Sequence, residues 1–123
     1  MNVLEYTTDC DTLAEVFSLL GQPARLQILL AIGEQHACVC HLEAVLGLRQ
    51  AYISQQLMLL RSVGLVATER NGRHIFYHLA DPRWLALIEE AARIQGVTLP
   101  RYNLPEVAGC VYTPGESSPQ CAS

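Results

Sequence analysis

The 123-residue chain is long enough for one domain with a modest core, and half of its residues are apolar. It has no run of roughly 18 apolar residues that could span a membrane. A formal charge of −4, without a single lysine, argues against indiscriminate nucleic-acid binding.

Residues 1–10 lack the basic start and apolar core of a signal peptide, so the cytoplasm is the expected compartment. Cap residues at positions 7–11 lead into a first helix with Leu13, Val16, Phe17 and Leu20 on one face. Gly21 breaks it. Pro23, whose ring fixes φ near the helical value, opens a second helix over Pro23–Ile32 with Leu26, Leu29 and Leu30 as its stripe. Gly33 ends that one.

Residues 37–65 hold two short amphipathic segments on either side of Gly47. Val39, Leu42, Val45 and Leu46 anchor the first, which begins around Cys38; Ile53, Leu57 and Leu60 anchor the second, over residues 50–63. Two such helices joined by a tight glycine turn make a helix-turn-helix. Gly64 is placed to supply a left-handed residue after the second. The period then changes to two: Val66, Thr68 and Arg70 alternate with Ala67 and Glu69, and Ile75, Tyr77 and Leu79 with His74, Phe76 and His78. Asn71-Gly72 between the runs signals a hairpin, and a hairpin directly after a helix-turn-helix is a wing. Asp81-Pro82 caps a fifth helix with Trp84, Leu87, Ile88 and Ala91 on one face.

The domain organisation that follows is a winged helix-turn-helix over residues 1–96 and an extended or disordered, cysteine-containing tail over residues 97–123, marked by prolines 100, 105, 114 and 119. The charge distribution matches the first part. Arg49, Arg61, Arg70, Arg73 and Arg83 stand against Glu69 and Asp81, a local balance of +3 that leaves −7 for the rest of the chain. A basic face on an acidic body suits a protein that meets phosphates in one orientation.

The five cysteines are an odd count without the spacing of a disulfide framework, so ligands, redox thiols or buried apolar residues are the readings. Cys38 and Cys40 fall in the first turn predicted for the third helix, where unpaired N–H groups and the dipole favour thiolate. Soft thiolates select ions such as Cd(II), Pb(II) or Zn(II). On a regular helix residues i and i+2 lie about 200° apart, so both sulfurs could grip one ion only if that turn unwound, which would misalign the adjoining DNA-reading helix. Either cysteine could instead be a core residue. A third ligand could be Cys10, reaching across a dimer, or Cys110 on the tail, with Cys121 further along. His36 and His41 read as polar helix-end residues.

The order of elements and four motifs resemble the ArsR/SmtB family of bacterial metal-responsive winged-helix repressors. The matching stretches are Leu20-Gly-Gln-Pro-Ala-Arg-Leu-Gln-Ile-Leu29, Cys38-Val-Cys-His-Leu42, Ile53-Ser-Gln-Gln-Leu-Met-Leu-Leu-Arg-Ser-Val-Gly-Leu-Val66 and Asn71-Gly-Arg-His-Ile-Phe-Tyr-His-Leu79, within residues 12–92. The resemblance implies a homodimer built from the first and last helices and double-stranded operator DNA as partner. It also implies release of the operator when metal binds, with arsenite or antimonite joining the candidate inducers of the Cys-Val-Cys pair. Arg49, Gln50, Tyr52, Ser54 and Gln55 would face base edges or phosphate, Gln pairing with adenine and Arg with guanine or phosphate. Arg73, in the family's Gly-Arg, would meet phosphate or a narrow minor groove at the wing tip. The family's zinc site on the last helix uses Asp and His pairs, and residues 84–95 contain no histidine, so a sensor of that type is not expected.

Two other readings remain at this point. The same fold could answer oxidant or sulfide through a disulfide or polysulfide link, against which stands the strain of an i, i+2 disulfide within a helix. A thiol enzyme would need an acid/base constellation or a Cys-x-x-Cys motif that the sequence lacks, and a structural zinc finger would need four ligands where one pair is present.

Overall fold

The computed structural model describes residues 8–115, so Thr7 and Cys121 lie outside the described residues. Local chemistry sets the helix boundaries. The Thr8 hydroxyl accepts the Asp11 N–H at 3.1 Å and the Asp11 carboxylate accepts the Thr8 N–H at 3.3 Å, a reciprocal cap that starts α1 (Asp9–Leu20). Gln22 caps α2 (Pro23–Ile32) by accepting the N–H groups of Ala24 and Arg25, with Pro23 at the first helical position. α3 (Val39–Leu46) and α4 (Gln50–Ser62) form the helix-turn-helix. Between them Gly47 has φ +69°, a left-handed value that a side chain would strain. α4 closes with the Leu65 N–H on the Leu60 carbonyl and the Gly64 N–H on that of Arg61, the paired bonds of a Schellman end.

α2 is the hub. It touches α1, α3, α4 and the second strand of the wing, and its Ile28, Leu29, Ala31 and Ile32 are fully buried. Ile53, Leu57 and Leu60 of α4 complete the core with Leu42 of α3, all with no exposed surface. Each such side chain contributes roughly 1.5–3 kcal/mol of burial. The recognition helix is therefore fixed to the hub by one face and open on the other.

β1 (Val66–Asn71) and β2 (His74–Leu79) pair antiparallel from Val66↔Leu79 to Asn71↔His74. That register corrects the turn: Asn71 ends a strand, and Gly72-Arg73 are the two turn residues. Gly72 has φ +64° while Arg73 keeps a negative φ, the pattern of a turn with glycine at its first central position. A further bridge, unsignalled by any periodicity, joins Ala37 to Tyr77 through two hydrogen bonds of 2.9 and 2.7 Å. It fixes the residues before α3 to the wing.

The outer helices depart from the predicted faces. In α1 Val16 and Leu20 are buried, but Leu13 and Phe17 are each 49% exposed. In α5 (Arg83–Gln95) Ile88 and Ala92 face the core, whereas Leu87 and Ala91 are exposed. Residues 97–115 form no helix or strand. They lie extended along the body: Leu99, Tyr102 and Leu104 pack on the main core, and Val107, Cys110 and Tyr112 on a second cluster around Cys38 and Phe76. Asn71 clasps Thr113 through two hydrogen bonds of 2.8 and 3.1 Å.

Candidate metal centre and nucleic-acid interface

Cys38 is the residue that starts α3 without belonging to it. Its φ of −87° and ψ of 167° are extended, and Cys40 is the second helical residue. The 200° separation of a regular helix therefore does not apply, and the two sulfurs meet with the first turn intact. The unwinding expected from the sequence is not needed. The same geometry removes the strain objection to a Cys38–Cys40 link, whose Cα atoms are 5.4 Å apart.

The tail brings Cys110 to the same point. Cys40 Sγ is within bonding range of both Cys38 Sγ and Cys110 Sγ. One sulfur forms one disulfide, so the arrangement is a cluster of three sulfurs and not two simultaneous bridges. Cys38 and Cys110 are buried, at 3% and 6% exposure, and Cys40 is half-buried. Three sulfurs in a small, largely water-excluded corner beside a helix N-terminus are a donor set suited to a soft ion. Cys10 is exposed on the first turn of α1 and stands outside this cluster.

His41, which the sequence suggested to be a polar helix-end residue, is buried and central. Its Nδ1 accepts the Cys38 N–H at 3.2 Å and lies 3.3 Å from Cys38 Sγ. Burial holds the imidazole below its usual range; a hydrogen bond to the Cys110 backbone opposes this, and charge on His74 adds to it. The ring thus ties the start of α3 to the tail, and it lies within ligand distance of both Cys38 and Cys40. His74, at the start of β2, lies 3.7 Å from Cys110 Sγ. The i, i+3 relation of Cys38 and His41 was available in the sequence; the tail's return was open there only on reach, with Cys10 as the other choice.

Arg49 precedes α4 and is exposed, as are Gln50 and Gln55 on the helix itself. Ser54 is half-buried one turn after Gln50. Tyr52 is half-buried, and its hydroxyl accepts Gln22 Nε2 at 3.4 Å, coupling α4 to the cap of α2. Gln56 is buried and accepts the Arg25 guanidinium at 2.8 Å, so it is structural. Arg61 and Arg70 are exposed, as is Arg73 at the wing tip, and none of these forms an ion pair among the described residues. Arg83 is different. Asp81 binds its guanidinium, with Nη2–Oδ2 at 2.7 Å, which removes one cation from the basic face inferred from the sequence.

Residues 22–68 match the family described as bacterial regulatory protein, arsR family. The chain is 41% identical over 80 residues to a transcriptional repressor SmtB homolog of Synechocystis sp., covering 65% of this chain and 61% of that protein. The alignments span 61–65% of the length of the first curated relatives. Among solved structures, the cadmium metal-sensor CMTR of Mycobacterium tuberculosis superposes with a TM-score of 0.60 at 31% identity, over 80% of this chain and 99% of that one. A homodimeric winged helix-turn-helix DNA-binding domain from Mycobacterium bovis superposes with a TM-score of 0.64 at 29% identity, over 70% and 82%. These relatives are regulators and sensors, which sets the thiol-enzyme reading aside. The hub helix, the glycine-turned helix pair, the wing and the sequence matches agree: the chain belongs to the ArsR/SmtB family of winged-helix transcriptional regulators.

Proposed function

We propose that this protein is a homodimeric, operator-binding transcriptional repressor that releases DNA when Cys38, Cys40 and Cys110 take up a thiophilic metal or metalloid ion. The convergence of three cysteines from segments 70 residues apart in sequence carries the reading. The donor set fits Cd(II), Pb(II), arsenite and antimonite, and Zn(II) with a further ligand. A cadmium sensor among the structural relatives supports the soft-ion class. Gln50, Ser54 and Gln55 read bases, Arg49 and Arg73 meet phosphate, and Tyr52, bonded to Gln22, orients the recognition helix.

The residues around the thiols suggest how binding is transmitted. Cys38 begins the helix that packs on α4, and Cys110 packs with Phe76 of the wing. Thiolates drawn onto one ion would fix the N-terminus of α3, the wing and the tail in one relation. If that relation differs from the one DNA requires, the two ligands oppose each other. A coupling of ~1–3 kcal/mol suffices to change operator affinity 5–150-fold.

The test uses reduced protein on labelled upstream DNA, followed by fluorescence anisotropy, with arsenite, antimonite, Cd(II), Pb(II), Zn(II) or diamide added in parallel. Wild type is expected to leave DNA with at least one thiophilic ion. The Cys38→Ser/Cys40→Ser double variant and the Cys110→Ser variant should bind DNA normally and ignore that ion. The Cys38–Cys40 Cα separation, within the range of a disulfide, favours a redox-responsive repressor as second reading. Release by diamide alone would select it.

A further inference from the structure

A second group of ligating side chains lies on the wing, apart from the thiols. His36 comes from the loop before α3, Glu69 from β1 and His78 from β2, and one ligand atom of each lies within 4.8 Å of the others. The register explains the convergence. Glu69 pairs with Phe76, and His78 is two residues further along β2, so both side chains leave the same face of the hairpin. The Ala37–Tyr77 bridge then holds His36 against that face.

We propose that His36, Glu69 and His78 form a second cation site, for a borderline divalent ion such as Zn(II). Two imidazoles and one carboxylate are a set that zinc takes while leaving a fourth position for water. His36 Nε2 stands 3.7 Å from Glu69 Oε1, a gap that a side-chain rotation would close around an ion. The imidazole rings of His36 and His78 are 4.7 Å apart. His78 Nδ1 is buried and has no hydrogen-bond partner among the described residues; an ion bound through it would satisfy it.

The supporting groups are also in place. The Tyr112 hydroxyl donates to Glu69, 3.1 Å from either carboxylate oxygen, and its ring stacks on His36 at 3.9 Å. A ligating carboxylate held in this way is oriented before the ion arrives. Tyr112 is two residues from Cys110, and His36 two residues from Cys38. The site therefore grips the same two segments that assemble the thiol cluster, with harder donors selecting a different ion.

Cobalt(II) separates the two sites, because thiolate ligands give an intense near-ultraviolet charge-transfer band and a nitrogen/oxygen set does not. The wild-type chain should bind two equivalents, one with and one without that band. The Cys38→Ser/Cys40→Ser/Cys110→Ser variant should keep one equivalent of Co(II) or Zn(II) per chain, silent in the charge-transfer region. Adding His78→Gln or Glu69→Gln should weaken that equivalent at least tenfold by calorimetry, with operator binding in the absence of metal as the check on folding. In wild-type background, His78→Gln alone should leave only the band-forming equivalent. No uptake by the thiol-free variant, or unchanged affinity after both wing substitutions, would overturn the proposal and leave the three residues as a clasp for the tail. Neither result bears on release through the thiols, which the anisotropy experiment reads separately.

Discussion

Whether residue 38 counts as the first helical position or the one before it decides what its thiol can do. An extended Cys38 turns its sulfur toward Cys40 and leaves its N–H to be satisfied by His41. His41→Ala would strand that N–H in a buried corner, at a cost of about 1–3 kcal/mol that urea denaturation should read as a lower midpoint with unchanged slope. The companion His41→Gln, able to accept the same bond, should recover part of the loss. On the DNA side, Arg73 and Gln55 divide along another line. A guanidinium at a wing tip meets charge, which every sequence carries; a glutamine on the recognition helix meets base edges, which differ. Arg73→Ala should weaken operator and unrelated DNA alike and reduce the salt slope by about one. Gln55→Ala should cost ~1–3 kcal/mol on the operator and little elsewhere. Anisotropy titrations at several salt concentrations, on both DNAs, distinguish the two.

At the scale of elements, the start of α5 carries a carboxylate that titrates, Asp81, one residue ahead of Pro82 at the cap position. Asp81 accepts the Arg83 N–H and guanidinium, and those bonds hold its carboxyl at about 2, below the usual 3.8. A carboxylate depressed in the folded state stabilises fully above its unfolded pKa, and the contribution is lost as pH falls from 3.8 toward about 2. Asp81→Asn should therefore lower Tm at neutral pH by a small amount, the group being exposed, and the difference from wild type should close between pH 4 and 2. Element ends are legible because they are local: Thr8–Asp11, Pro23 and Gly64 each act through residues within one turn, whereas the side-chain cap from Gln22 was not read from the sequence. The hairpin was legible too, apart from a one-residue slip at Gly72-Arg73, because Asn71 can end a strand or enter a turn and only the cross-strand register decides. For the third sulfur the sequence offered Cys10 and Cys110 on reach alone and could not choose between them, and the convergence of His36 on Glu69 and His78 was not legible. The Cys40–Cys110 contact spans 70 residues and runs through a segment with neither helical nor strand period, and His36 reaches the hairpin only through the long-range Ala37–Tyr77 bridge, so no window of sequence carries either.

For the whole molecule the exposed apolar side chains are the open account. α1 presents Leu13 and Phe17, each 49% exposed, and α5 presents Leu87 and Ile94, at 40% and 79%. Helices with Val16, Leu20, Ile88 and Ala92 already facing the core have no reason within one chain to carry a second apolar face. A second copy of the chain would cover it, and a two-fold dimer would set two recognition helices about one DNA turn, ~34 Å, apart. Linking two weak half-site contacts in this way raises affinity by 10²–10⁴ without any new contact to DNA. Phe17→Glu and Leu87→Glu place charge on that face and leave the core, the thiols and the recognition helix untouched. Each should shift the chain toward monomer in sedimentation velocity at micromolar concentration and weaken operator binding by on the order of 100-fold, while far-ultraviolet circular dichroism stays that of wild type. Full operator affinity in a variant that sediments as monomer would show that the two half-sites do not act through this face. A dimer that persists in both variants would move the interface away from α1 and α5.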